Sequence, residues 1–127
     1  MYNEGTIIAL SSPPGSGAIS IIRLSGKDSI SKTDKFFESK SGKKLKDSNG
    51  YSISYGNFLV NKEVLDEVVI SLYKGPHSYT GEDVVEISCH GSNYIQQEII
   101  SSFTSSGVRL ASPGEFTLRA YLCLLYT

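Results

Sequence analysis

The stretch TIIALSSPPGSGAISIIRL, residues 6–24, decides the fold, because two apolar and β-branched runs flank a loop of small residues and prolines. Residues 6–10 and 18–24 have the composition of β-strands. Residues 11–17 combine Ser, Pro and Gly, which is typical of a tight loop. We therefore expect two sheet strands joined by that loop.

The next segment predicts a short helix and then a loop. Ser25 followed by Asp28 resembles a capping box, which would open a helix ending near Phe36 and Phe37. Residues 39–50 are rich in Ser, Lys, Gly and Asp, and this composition predicts a mobile loop.

Three strand patterns follow in the middle of the chain. Residues 51–60 and 64–73 predict two strands joined in a hairpin at residues 61–63. Residues 84–90 alternate between apolar and polar side chains, so one face of that strand is expected to be polar.

The remaining third of the chain predicts two helices and a short strand. Helical spacing of apolar residues places one helix at 93–105, ending at Gly107, with a short strand at 108–111. The string Ser-Pro-Gly-Glu at 112–115 has a capping Ser, a Pro at the first helical position and a Glu three residues on. A mixed sheet with three helices, the α+β class, is the expected fold.

Composition limits the class of protein. The 127 residues fit one domain, and 12 Lys and Arg against 13 acids give no field that attracts nucleic acid or an anionic membrane. Residues 1–10 lack the basic and apolar regions that predict a signal peptide, and no apolar run is long enough to predict a membrane span. The two cysteines fit a reducing compartment, so we expect a cytoplasmic protein.

Neither Gly-Lys pair forms a phosphate-binding loop. A Walker loop needs Gly, four residues and then Gly-Lys-Ser/Thr. Gly26-Lys27 is followed by Asp28 and has Ile21 at the first position, and Gly42-Lys43 is followed by Lys44. The sequence therefore predicts no apparatus for binding GTP.

The cysteines and histidines give weak support for chemistry. Adjacent Cys89 and His90 point to opposite faces of a strand, so we expect a core cysteine and a separate polar group rather than a thiolate–imidazole pair. His77 and His90 are too few for a metal site. We assign neither a catalytic residue nor a metal ligand.

Arg23 and Glu86 are unusual because each lies within an apolar strand, where an unpaired charge is costly to bury. A structural ion pair between them is one interpretation. The other is a ligand site, because a carboxylate in a cleft accepts two parallel N–H bonds from the aminopyrimidinone edge of a pterin.

Five strings resemble the N-terminal domain of the MnmE family of tRNA-modification GTPases, also called TrmE. The resemblance covers nearly the whole chain, and the strings occur in order: TIIA at 6–9, SPPG at 12–15, IIRLSG at 21–26, SYTGEDVVE at 78–86 and PGEFTLRA at 113–120.

The resemblance implies a fold similar to the folate-binding domain of aminomethyltransferases, a bound tetrahydrofolate derivative in the 5-formyl or 5,10-methylene form, and a homodimer. GTP, magnesium and potassium would bind only in a GTPase domain that lies further along the complete protein. That protein would act with the flavoprotein MnmG on the wobble uridine of certain tRNAs.

Carried onto this chain, the family pattern makes Arg23 and Glu86 folate contacts, and His90 is a weaker candidate on the same strand face. Leu125 stands where the family has a contacting lysine, which predicts weakened folate binding. We therefore expect a folate-binding and dimerisation domain at residues 1–122 and a divergent tail, truncated or foreign, at 123–127. An autonomous folate-dependent one-carbon transferase and a purely structural dimerisation module are the alternatives.

Overall fold

A computed structural model describes residues 5–12, 17–76 and 78–125 of the chain. These residues form a mixed seven-stranded sheet and three α-helices, which confirms the expected α+β class. In chain order the elements are β1 Ile7–Leu10, β2 Ile19–Ser25, α1 Ser29–Asp34, β3 Phe37–Ser39, β4 Tyr51–Val60, β5 Glu63–Tyr73, β6 Val84–His90, α2 Asn93–Ser105, β7 Arg109–Leu110 and α3 Glu115–Leu125.

The sheet has the order β3-β4-β5-β6-β2-β1-β7. The strand neighbours are antiparallel except for β1 and β7, which are parallel. The predicted hairpin is confirmed as β4 and β5, and its turn is short because Asn61 and Lys62 both adopt positive φ, 52° and 68°. Two left-handed residues in a row match the right-handed twist of the paired strands.

One face of the sheet, here called the inner face, packs against α1 and α2. Alternate side chains of the central strands point to this face, as the two-residue period of a strand requires. The helix predicted at 93–105 is confirmed, and Ser92 caps it by accepting a hydrogen bond from the N–H of Ile95. The buried core includes Ile22, Leu24, Ile70, Leu72, Val85, Ile87, Cys89, Ile99 and Phe103.

The prediction that Ser25 caps a helix is wrong. Ser25 is the last residue of β2, and its hydroxyl lies 2.6 Å from the hydroxyl of Thr80 and donates to Glu82 at 2.9 Å. Helix α1 begins after Asp28, which makes no side-chain cap. The tertiary partners of Ser25 therefore replace the local hydrogen bond that the sequence pattern indicated.

Strand β3 lies where the sequence pattern predicted the end of a helix and the start of a loop. This strand pairs with β4 so closely that a Cβ on Gly56 would lie 2.2 Å from the carbonyl oxygen of Glu38. The predicted loop at 39–50 is irregular in most of its length but contains a 3-10 helix, Leu45–Asp47. The carboxylate of Asp34 accepts hydrogen bonds from the N–H groups of Leu45 and Lys46, and Leu45 is buried in the core.

Helix α3 begins two residues later than predicted. Gly114 has φ 76°, which a right-handed helix does not allow, so the first helical residue is Glu115. Half of the predicted capping box is present, because the N–H of Ser112 donates to the Glu115 carboxylate at 2.9 Å. The helix continues to Leu125 and therefore runs across the expected boundary between residues 122 and 123.

The opposite face of the sheet, here called the outer face, is covered at one end by residues 78–83 and α3. Two contacts from β2 show this placement. The Ser25 hydroxyl contacts Thr80 and Glu82 in the loop. The Arg23 guanidinium lies near the rings of Tyr79 in the loop and Phe116 in α3. No helix in the described ranges has the length and apolar character needed to cross a membrane. The predicted loop residues 13–16 lie outside the described residues.

Candidate functional site

Arg23 and Glu86 face each other across β2 and β6 on the outer face of the sheet. The Nε and Nη2 atoms of Arg23 lie 2.7 and 2.5 Å from Oε2 of Glu86. The side chains remain 28% and 20% exposed, so this ion pair is accessible to a ligand. The structure brings together the two residues that the sequence analysis singled out, and it shows that they form an ion pair.

A cavity of about 250 Å³ lies over this pair, lined by Arg23, Tyr73, Tyr79, Val84 and Glu86. The guanidinium carbon of Arg23 lies 5.6 Å from the ring centre of Tyr79 and 5.9 Å from that of Phe116. Rings within about 6 Å of a cation stabilise it electrostatically. The site therefore combines a carboxylate, a cation and aromatic walls.

Tyr73 adds a phenol to the cavity. Burial, followed by the negative charge of Glu86, raises the pKa of Tyr73 above its ordinary value. The phenol is therefore neutral at physiological pH, and its hydroxyl has Glu86 as a hydrogen-bond acceptor. The Tyr73 ring also packs against the ring of Tyr51 on the neighbouring strand, with 5.2 Å between ring centres.

A second arginine, Arg119 on α3, lies below the site and is 1% exposed. Its Nη1 donates to Oε1 of Glu82 at 2.9 Å, and its Nη2 lies 3.3 Å from Oε2 of Glu115. Glu115 also accepts two hydrogen bonds from Arg109. We call Glu82, Arg109, Glu115 and Arg119 the Arg119 cluster.

The Arg119 cluster changes the acidity of Glu115. Hydrogen bonding from Arg109, with smaller contributions from Ser112 and Arg119, lowers the Glu115 pKa to about 2 even though burial acts in the opposite direction. A carboxylate this well solvated by fixed donors stays charged over the physiological range. Glu115 therefore stays ionised at physiological pH, and its bonds to Arg109 and Arg119 join the start of α3 to β7.

Residues 78–83 are fixed by several contacts. The Ser78 hydroxyl donates to the carbonyl of Glu82, and the carboxylate of Asp83 accepts from the N–H of Gly75 at 2.9 Å. Gly81 has φ 81°, and a Cβ there would lie 2.3 Å from Sγ of Cys123, so the loop and α3 touch at a glycine. Two of the strings that carry the family resemblance, at 78–86 and 113–120, are thus neighbours in space.

His90 does not join the cavity. Its backbone N–H and its Nδ1 both lie within 2.9 Å of the Asp66 carboxylate, and its side chain is 71% exposed. It lies four positions along β6 from Glu86, which corresponds to about 13 Å. The candidate folate contacts Arg23 and Glu86 are therefore adjacent, whereas His90 lies at the other end of β6.

Cys89 behaves as a core residue, as expected. It lies 3% exposed among the apolar side chains of the inner face, and burial raises the pKa of its thiol to about 11. The ring of its neighbour His90 pairs with the Asp66 carboxylate, so the imidazole is held by Asp66 rather than by the Cys89 thiol. Over the ranges that the structure describes, no group of three potential metal ligands occurs, and His77 lies outside them.

Leu125, at the position of the family lysine, is the last residue of α3, and its side chain lies outside the described residues. Sequence reasoning missed Tyr73, Tyr79, Phe116 and Arg119. Three of these four, Tyr79, Phe116 and Arg119, lie within the family strings at 78–86 and 113–120, so membership in those strings could have marked them as candidate site residues. The roles of these residues were hidden because the contacts join distant parts of the chain.

Two larger clefts, of about 390 and 330 Å³, lie between the β4–β5 turn and α2. Both include Asn61 and Glu98, and the serines of α2 line the larger one. Glu98 lines both clefts, with Phe36 in the larger and Tyr94 in the smaller, but neither is lined by an arginine or a lysine, so neither has a cation paired with its carboxylate. The smaller Arg23–Glu86 cavity carries the more specific chemistry, and convergent polar groups are a better sign of a site than volume.

Two comparisons with known proteins, one with family models and one with individual sequences, agree on the family of this chain. Residues 6–123 match the family model described as "GTP-binding protein TrmE N-terminus". Relatives named tRNA modification GTPase MnmE include proteins from Flavobacterium johnsoniae, 48% identical over 96% of the chain, and Clostridioides difficile, 43% identical over 96%. The chain spans 26% and 27% of the length of these two relatives.

Proposed function

Because the chain belongs to the family of TrmE N-terminal domains, we propose that it binds a tetrahydrofolate one-carbon carrier, in the 5-formyl or 5,10-methylene form. The proposal places the ligand in the cavity over Arg23 and Glu86. The match with about the first quarter of MnmE proteins, which are tRNA modification GTPases, supports a role in that modification.

The observation that carries the proposal is the accessible carboxylate of Glu86 between aromatic side chains. The aminopyrimidinone edge of a pterin presents two parallel N–H donors, which a carboxylate accepts in the same way that it accepts a guanidinium. Flat rings such as those of Tyr79 and Phe116 favour stacked or edge contacts with another flat ring. The cavity of about 250 Å³ suits a pterin head and leaves the rest of a folate outside it.

The ion pair is compatible with ligand binding. Both of the close Arg23 contacts are made to the same oxygen, Oε2 of Glu86. A carboxylate offers about four lone-pair sites, so Glu86 accepts from Arg23 and from two pterin donors at once if the ligand displaces the Tyr73 hydroxyl from Glu86. Arg23 then compensates the charge of Glu86 when the ligand displaces water from the cavity.

We propose that the complete protein is a cytoplasmic homodimer that works with the flavoprotein MnmG on wobble uridine in tRNA. In this proposal the one-carbon carrier supplies a methylene to the modification, while GTP, magnesium and potassium bind in a GTPase domain further along the complete protein. The isolated chain contributes ligand binding and dimerisation and does not catalyse turnover.

The outer face of β4 supports the dimerisation proposal. Tyr51, Ile53 and Tyr55 occupy alternate positions of the strand and are 61%, 62% and 47% exposed. Contiguous exposed apolar side chains mark interaction surfaces, and a two-fold dimer needs one surface that complements itself. Sedimentation velocity should show a dimer that Ile53→Glu converts to monomer, and a monomeric unmodified chain would contradict this part of the proposal.

Calorimetric titration with 5-formyltetrahydrofolate tests the folate site. Glu86→Gln should weaken binding roughly 10- to 100-fold, because it removes a charge from a carboxylate that accepts hydrogen bonds. Glu38→Gln is the matched control, because Glu38 is an exposed glutamate on the distant strand β3. Equal affinities for the two variants would remove Glu86 from the site.

The same titration tests the unusual residue at 125. Leu125→Lys restores the family residue and should tighten binding, because the ammonium group adds a donor for the ligand. Absence of heat for both the unmodified chain and Leu125→Lys would contradict the folate assignment. One-carbon transfer by the isolated chain would instead favour the autonomous transferase.

A further inference from the structure

The two aromatic side chains over Arg23 come from different segments of the chain. Tyr79 belongs to the loop at 78–83, and Phe116 belongs to the first turn of α3. Tyr79 is 54% exposed, so packing around its ring does not fix it in place. The distance between the two rings must therefore be set by whatever joins the loop to the helix.

The strongest connection between these segments is the ion pair of Glu82 and Arg119. Glu82 lies three residues after Tyr79, and Arg119 lies three residues after Phe116, on the neighbouring turn of the helix. Their Oε1 and Nη1 atoms are 2.9 Å apart, and the Arg119 side chain is fully buried. The Glu82 side chain is 32% exposed, but a charge-assisted hydrogen bond of this length to a buried guanidinium has well-defined geometry.

Other contacts hold the same junction together. Ser25 donates to Oε1 of Glu82 at 2.9 Å, which ties the loop to the strand that carries Arg23. The hydroxyls of Tyr79 and Thr117 lie 3.4 Å apart, and Gly81 lies against Cys123. The Glu82 carboxylate thus links β2, the loop and α3, the three segments that carry Arg23, Tyr79 and Phe116.

We infer that Glu82 and Arg119 are positioning residues for the proposed folate site: their ion pair holds Tyr79 and Phe116 at the separation that a flat pterin ring requires. Neither residue lines the cavity, so both act through the two rings. The inference rests on the proposed function and deepens it. It states that the Glu82–Arg119 pair, which lies outside the cavity, sets the spacing of the two rings that select a flat ligand.

Glu115 provides a matched comparison within the same cluster. It also pairs with Arg119, at 3.3 Å, but it is the first residue of α3, and its other partners are Arg109 and Ser112. No hydrogen bond in the described residues joins Glu115 to the loop at 78–83. If the cluster were only structural, Glu82→Gln and Glu115→Gln would affect ligand affinity in proportion to their effects on stability.

The test compares Glu82→Gln and Glu115→Gln in the whole chain at pH 7. The ring-current shift of the Arg23 side-chain protons, measured by NMR without ligand, reports on the two rings, and titration with 5-formyltetrahydrofolate reports on affinity. Glu82→Gln should change the Arg23 shift and weaken binding about five-fold, the effect of losing one well-placed aromatic contact. Glu115→Gln should leave both unchanged while the protein remains folded.

Tyr79→Leu is the second variant and leaves the Glu82–Arg119 pair in place. It should weaken binding about as much as Glu82→Gln, because it removes the ring that the pair positions. Unchanged affinity in Tyr79→Leu, or unchanged Arg23 shift and affinity in a folded Glu82→Gln, would overturn the inference. The proposed function would survive those results provided that Glu86→Gln still weakens binding, whereas a chain that binds no folate would overturn both.

Discussion

The molecule contains two arginine–glutamate arrangements about the same loop, and they differ in access to solvent. The Arg23–Glu86 pair keeps 28% and 20% of its side-chain surface exposed and opens to a cavity. In the Arg119 cluster the Arg119 side chain is fully buried and that of Glu115 is 7% exposed, while their outer partners Glu82 and Arg109 are 32% and 35% exposed. In our proposal the same chemical pairing serves a ligand site in one place and holds the scaffold together in the other.

Burial explains this difference in role. Removing one partner from a buried ion pair leaves an uncompensated charge in a medium that solvates it poorly, which destabilises the fold. Removing one partner from a partly exposed pair lets water solvate the other. Stability should therefore depend strongly on the Arg119 cluster, while ligand binding should depend on Arg23 and Glu86.

The largest expected effect is on Arg119. Arg119→Met keeps much of the side-chain volume but removes the cation of Glu82 and one of the two arginines that pair with Glu115, and it should lower the free energy of unfolding by about 3–5 kcal/mol. Urea denaturation followed by circular dichroism measures this change. A loss below about 1 kcal/mol would remove the distinction between the two arrangements.

The next effect depends on pH. Because the pKa of Glu115 is lowered from 4.5 to about 2 in the folded state, its contribution to stability is complete above pH 4.5 and is lost as the pH falls towards 2. The shift corresponds to roughly 3 kcal/mol. The difference in unfolding free energy between the unmodified chain and Glu115→Gln should therefore shrink over that pH range.

Denaturant titrations at several pH values measure this difference, with Glu38→Gln as the control. The control should give a difference that hardly changes with pH, since Glu38 is exposed on β3. A Glu115→Gln difference that stays constant from pH 7 to pH 2.5 would show that Glu115 is not held as a charged group.

The smallest effect on stability is expected at the accessible pair. Arg23→Gln and Glu86→Gln should each change the free energy of unfolding by about 1 kcal/mol or less, because the partners are partly solvated. The same two variants should lose most of the ligand affinity. Destabilisation of several kcal/mol by either variant would favour the structural ion pair over the binding site.

The sequence predicted the elements that depend on local patterns. The β4–β5 hairpin, β6 and α2 were all foreseen because alternation and helical spacing are properties of neighbouring residues. Strand β3 and the role of Ser25 were not, because each depends on a partner far along the chain: β4 for the strand, and Thr80 and Glu82 for the serine.

The charged residues of the candidate site could be predicted from the sequence, but the aromatic residues around them could not. Arg23 and Glu86 stood out because each is a charge within an apolar strand. Tyr79 and Phe116 had no such signal, because an aromatic residue in a loop or an amphipathic helix is ordinary. Only the fold brings those rings to Arg23, by way of the contact between residues 78–83 and α3.

A crystal structure of the chain with 5-formyltetrahydrofolate tests the central claim, that the accessible ion pair is the ligand site and the buried cluster is not. We predict that the aminopyrimidinone edge lies within hydrogen-bond distance of the Glu86 carboxylate and that the pterin ring contacts Tyr79 or Phe116, with the Arg119 cluster unchanged. A ligand bound in the clefts beside α2, or a pterin edge that does not contact Glu86, would contradict the claim.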